Sequence, residues 1–222
     1  YWTMDSILSN TVVDSSGKNH NGTTTTGVSL YPNGHLNAGV TLNGASGIIT
    51  VANNTDFSPT GSFSVSIWVN PAEIAANRVT RIFDKNAAYS LIFTTTGLLQ
   101  FRVEGLTPAF VTGPALPVDQ WTHVVVSYNS ASNQLLMYIN NELVSSVTVT
   151  GSKVTNTNAL IFGSSSTSER YKGALDEIRF YNRILTTDEI QMLYGLANST
   201  ATPTMTFTPN GSQTVTPTPI GT

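Results

Sequence analysis

The chain has 222 residues, of which 10% are charged, and its formal net charge is −3. An average soluble protein carries roughly 25% charged residues; here Ser, Thr and Asn supply the polarity instead, and no Lys/Arg stripe exists to neutralise the phosphates of a nucleic acid. Zero cysteines exclude a disulfide framework and a thiolate metal site, and no apolar run is long enough to insert into a bilayer as a helix.

The first residue is Tyr1 and not Met, which is expected of a processed or excised fragment. From there the chain is written in short alternating or apolar runs rich in Val, Ile, Phe and Tyr, bounded by Gly, Asn, Ser or Pro. This is the pattern of strands. Residues 47–51, 62–70, 80–84, 89–93, 98–104, 121–129, 134–139, 142–150, 158–163 and 175–181 all read so. Within 63–69, Phe63, Val65, Ile67 and Val69 alternate with Ser64, Ser66 and Trp68, which puts the aliphatic set on a core face. Asn140 and Asn141 suit the positive φ of a tight hairpin turn between 134–139 and 142–150. Many short strands separated by turns predict two packed antiparallel sheets, an all-β sandwich or jelly roll, in preference to a parallel βαβ sheet.

One helix is predicted, over 187–194. Thr186 and Glu189 have the spacing of a capping box, acids crowd the first turn, and Gly195 suits the stop. From Asn198 the chain becomes an uncharged Thr/Pro-rich tail with prolines at 203, 209, 217 and 219, which predicts an extended linker or stalk. Met205 and Phe207 alternate with threonines, and Val215 repeats the pattern. These segments could therefore donate a strand to a neighbouring copy.

Chemistry-bearing motifs are sparse. His20, His35 and His123 lie in unrelated segments, and neither Gly-x-Ser-x-Gly nor His-x-x-x-His occurs. The adjacent acids Asp176 and Glu177 are expected on opposite faces of a strand, so they do not form a glycosidase pair. Asp14 in Asp-Ser-Ser-Gly reads as the cap of its own turn. Asn-x-Ser/Thr sequons at Asn21, Asn53, Asn198 and Asn210 are what such a composition generates by chance. Large rings on strands are expected in the core first, whereas Phe110 and Tyr171, in looser loop contexts, are the candidate ligand contacts.

Six blocks carry a family resemblance over residues 1–197: Tyr-Trp-Thr-Met-Asp at 1–5, Asp-Ser-Ser-Gly-Lys-Asn-His-Asn-Gly at 14–22, Phe-Ser-Val-Ser-Ile-Trp-Val-Asn-Pro at 63–71, Gln-Trp-Thr-His-Val-Val-Val-Ser-Tyr at 120–128, Leu-Met-Tyr-Ile-Asn-Asn-Glu-Leu at 136–143, and Gly-Ala-Leu-Asp-Glu-Ile-Arg-Phe-Tyr-Asn-Arg at 173–183. In this order they resemble the laminin-G-like or pentraxin-like jelly rolls of the concanavalin A-like lectin/glucanase superfamily. The resemblance implies a closing strand beside the first, which would bring Asp5, the 18–22 loop and Asp176 together around a structural Ca²⁺. Asp5, Asn19, Asn21 and Asp176 are the implied metal residues. The resemblance also places Trp2 and Trp121 at aromatic positions that pack inside the sandwich, and it departs from the family pattern at Ser6, where many relatives carry a second acid. It also implies a non-catalytic, extracellular binding or adhesion module with a glycan or protein ligand. The alternative is a structural subunit of an extracellular assembly, joined to copies of itself through Met205, Phe207 and Val215.

Overall fold

The computed structural model describes residues 1–164 and 166–196. The strands, numbered in chain order, build two large antiparallel sheets. The eight-stranded sheet runs β1 (Thr11–Val12), β2 (Gly22–Thr24), β5 (Ile49–Val51), β16 (Leu160–Phe162), β7 (Thr80–Lys85), β8 (Tyr89–Phe93), β9 (Leu99–Val103) and β11 (Phe110–Thr112). The seven-stranded sheet runs β14 (Glu142–Thr148), β13 (Gln134–Ile139), β12 (Thr122–Asn129), β6 (Phe63–Pro71), β17 (Lys172–Tyr181), β4 (Gly39–Asn43) and β3 (Val28–Tyr31). A two-stranded ribbon, β10 (Leu106–Thr107) with β15 (Thr150–Gly151), completes the set.

The apolar alternation decides which faces meet. Phe63, Val65, Ile67 and Val69 of β6 and Val124 and Val126 of β12 pack in one core with Leu91 and Phe93 of β8 and Leu99 and Phe101 of β9. Each such side chain contributes about 1.5–3 kcal/mol when fully buried, so this seam dominates the stability. Trp2 joins it as predicted, and its Nε1 donates to the His20 carbonyl at 2.8 Å. The first strand of the family pattern is here reduced to one bridge, Trp2 with Ile178 of β17, closed by reciprocal amide hydrogen bonds of 2.8 and 2.9 Å. The predicted hairpin forms, with Asn140 and Asn141 at φ 48° and 71°.

The other face of β6 is buried as well, because the chain returns over it. Helix α1 (Thr187–Gly195) sets Ile190 and Leu193, with Leu185, against Val125 of β12. Beneath it, Ser64 Oγ donates to the Arg183 carbonyl and accepts from the Leu185 amide and Ser127. Trp68 lies on this covered face, stacked on His35 at 3.2 Å between ring centres and on Tyr194 at 5.8 Å. Trp121 departs from the core expectation. It is half-buried at the rim of this cluster, beside Tyr31, with Nε1 donating to the Asn33 carbonyl. The returning chain thus covers the middle of the seven-stranded sheet's outer face, while Leu143 and Val144 of its edge strand β14 stay exposed.

Candidate functional site

On the eight-stranded sheet, Tyr89, Leu91 and Phe93 of β8 point inward with Leu99, Phe101 and Val103 of β9. Strand alternation therefore turns Ser90, Ile92, Gln100 and Arg102 outward. Register aligns these residues across strands. Asp84, Ser90, Arg102 and Phe110 pair in succession from β7 to β11, and Arg81, Ile92, Gln100 and Thr112 form the adjacent row. Although they face away from the core, Asp84 and Ser90 are only 4% exposed and Gln100 8%. Their polar atoms are tied to one another. Arg81 donates to Glu169 at 2.6 Å, to Asp84 at 3.3 Å and to Ser90 at 3.4 Å; Gln100 donates to Thr112 and accepts from Arg102, both at 3.0 Å. Burial raises the pKa of Asp84, partly offset by Arg81. Burial also works against the charge on Arg81, but Glu169 and Asp84 outweigh it and raise its pKa. At the sheet edge Phe110 is 39% exposed, with the Arg102 guanidinium 5.3 Å from its ring centre.

Phe110 is thus the one predicted ligand residue that the structure leaves at the surface. Tyr171 is corrected: its ring is fully buried in the sandwich core and its hydroxyl donates to the Ala174 carbonyl at 3.2 Å, so it has no surface to offer a ligand. Met205, Phe207 and Val215 lie outside the described residues.

The four implied metal residues separate into two groups. Asn21 Oδ1 accepts from the Asp14 amide, and Asp14 accepts from the Ser16 and His20 amides, so this loop is closed on Asp14 as its turn chemistry predicts. Asn19 is exposed at φ 61°, with no hydrogen bond from its side chain to Asp5 or Asp176. Asp5 and Asp176 do come together, around the turn before β4: Asp5 accepts from the Ala38 amide at 3.1 Å and Asp176 from the Leu36 amide at 3.0 Å. A β-bulge at Glu177, with φ 50°, overturns the expected opposition of Asp176 and Glu177. The bulge lets Glu177 accept from Tyr1 at 2.8 Å and from Arg179 at 2.5 Å, two residues along the strand. Asp176 has 0% exposure and no cationic partner among the described residues; burial, then the nearby carboxylates of Glu177 and Asp5, push it up to about 8. Two converging carboxylates are a donor set that fits an oxygen-seeking cation such as Ca²⁺. Among the described residues, no three His, Cys, Asp or Glu side chains cluster as a metal cage.

Residues 43–191 match a laminin G family model described as the concanavalin A-like lectin/glucanases superfamily. The chain belongs to this superfamily. No curated protein matches the sequence. Solved structures similar to this superfamily member include the binding domain of Paraclostridial Mosquitocidal Protein 1, at TM-score 0.71 and 21% identity over 86% of this chain and 50% of that one. Domain 4 of AbnA, an extracellular arabinanase from Geobacillus stearothermophilus solved with arabinotriose, matches at TM-score 0.64 and 23% identity over 82% and 91%. The botulinum neurotoxin serotype C1 binding domain matches at TM-score 0.65 and 20% identity over 87% and 51%. The chain therefore spans about half the length of the two toxin domains, and at these identities the likeness is one of fold.

Sequence reasoning missed Asp84, Ser90, Gln100 and Arg102. Each is an ordinary polar position in an alternating strand, and only the pairing register assembles them into rows.

Proposed function

We propose that this chain is a non-catalytic glycan-binding module of a secreted or cell-surface protein, taking its ligand across the outer face of the eight-stranded sheet. The observation that carries this reading is the pair of outward rows of hydrogen-bonding side chains, held in fixed positions by mutual bonds and ending at the exposed ring of Phe110. Sugars present hydroxyls to the first and a CH face to the second. Two of the similar structures support the choice of ligand: AbnA domain 4 was solved with arabinotriose, and work on a botulinum neurotoxin type C domain ties cell entry to ganglioside. The acids on the face favour binding over hydrolysis, since Asp84 and Glu169 are both engaged by Arg81. A glycan array identifies the ligand, and calorimetry on variants tests the face. Gln100→Ala and Phe110→Ala should each weaken binding by about three- to tenfold, the worth of one neutral hydrogen bond or one ring contact. Unchanged affinity in both variants would sink the reading.

A Ca²⁺ ion held by Asp5 and Asp176 is part of the same proposal. The ion would supply charge compensation to Asp176 and tie the N-terminal segment to β17.

A second reading is favoured by the edge strand β14, which leaves Leu143 and Val144 exposed. Residues 204–208 of another copy could pair there and build an assembly. Light scattering of a chain lacking residues 198–222 tests it, because oligomers that persist unchanged contradict it.

A further inference from the structure

Arg170 lies beside Arg81 through a parallel bridge, so it extends the row that continues through Ile92, Gln100 and Thr112. Its neighbour Tyr171 turns into the core, which sends Arg170 to the outer face. The other arginines around it are matched by acids: Arg81 by Asp84 and Glu169, Arg78 by Glu73, Arg102 by Glu104. Arg170 is only 9% exposed, its Nε donates to the Ser166 carbonyl at 3.2 Å, and its Nη1 is buried with no hydrogen-bond partner among the described residues. It has no ion pair among the described residues. A guanidinium held this far from water with that donor unmet favours an anionic acceptor, and its planar fork suits a carboxylate.

We propose that Arg170 is an anion subsite at the head of the glycan-binding face, selecting sugars that carry a carboxylate, such as uronic or sialic acids. The inference rests on the glycan reading of this face and specifies its ligand class. A carboxylate over Arg170 would leave the rest of the saccharide running along Ile92 and Gln100, with neutral sugar units toward Thr112 and Phe110.

The test uses the full chain, with trigalacturonate and its methyl ester as probes that differ in the carboxylate charge and a methyl group on each carboxyl. Wild type should bind the acid roughly tenfold or more tighter than the ester, and the preference should shrink as salt is raised. Arg170→Gln should abolish the preference while keeping the affinity for the ester. If that variant fails to fold, the wild-type comparison of acid and ester, with its salt dependence, decides alone. Equal binding of the two probes by wild type, or a preference that survives in Arg170→Gln, overturns the subsite. Neutral glycans that bind through Gln100 with no gain from a carboxylate overturn it too, while leaving the glycan face standing; failure of every glycan to bind brings both down.

Discussion

His35 and His123 both pack against Trp68, and among the described residues each has a buried ring nitrogen without a partner, Nε2 of His35 and Nδ1 of His123. Burial lowers His35 to about 4 and His123 to about 3, the latter helped by His35 and Arg179. Because the folded pKa lies below the ordinary 6.5, the unfolded chain binds more protons between these values, and stability is lost as pH falls from 6.5 toward 3. Asp14, Asp56 and Glu189, also lowered, add to the acid limb. The histidine share is isolated by difference: His123→Phe should flatten the fall in urea-unfolding free energy between pH 6.5 and about 3, and an identical slope in the variant would remove the buried histidine from the explanation. Asp176 has the opposite sign. With its folded pKa raised from 3.8 to about 8, the cation-free protein loses stability as pH rises between those values. Ca²⁺ should therefore raise the melting temperature most near pH 8, and Asp176→Asn should erase the Ca²⁺ response. A melting curve indifferent to Ca²⁺ and EDTA in the wild type would contradict the cation.

Among the elements, α1 was the most legible. Its bounds were read to within a residue from Thr186, Glu189 and Gly195, and the capping box forms with Thr186 Oγ accepting from the Glu189 amide at 3.3 Å and the Thr186 amide donating back to Glu189 at 2.9 Å. Arg183 adds two bonds to the same carboxylate, at 2.7 and 2.8 Å. Thr186→Ala should cost about 1 kcal/mol by chemical denaturation. Glu189→Ala should cost more, since it also frees Arg183; equal costs would mean that the Arg183 pair is idle. Strands with long aliphatic alternation, such as β6 and β12, were equally plain in the sequence. The two- to five-residue strands β1 to β4, β10 and β11 were not, because so few residues carry no periodicity and are defined by their partners.

For the molecule as a whole, the sandwich was legible because core alternation is a local signal repeated ten times along the chain. The candidate face was not, except for Phe110, because it exists only through register between strands. Tyr171 misled for the complementary reason: a ring beside a Ser/Thr loop looks free until β17 is seen to carry it inward. The Asp176–Glu177 opposition failed at a single bulge that alternation cannot foresee. The fold makes a division between the sheets: one is covered at its middle by α1, and the other carries the tied polar rows that end at the exposed ring of Phe110. Backbone amide NMR during titration with the tightest glycan from an array measures that division directly. Binding at the polar rows predicts shifts concentrated at Asp84, Ser90, Gln100, Arg102 and Phe110, with α1 and β14 silent. Shifts clustered on β14, or around His35 and Tyr194, would contradict it.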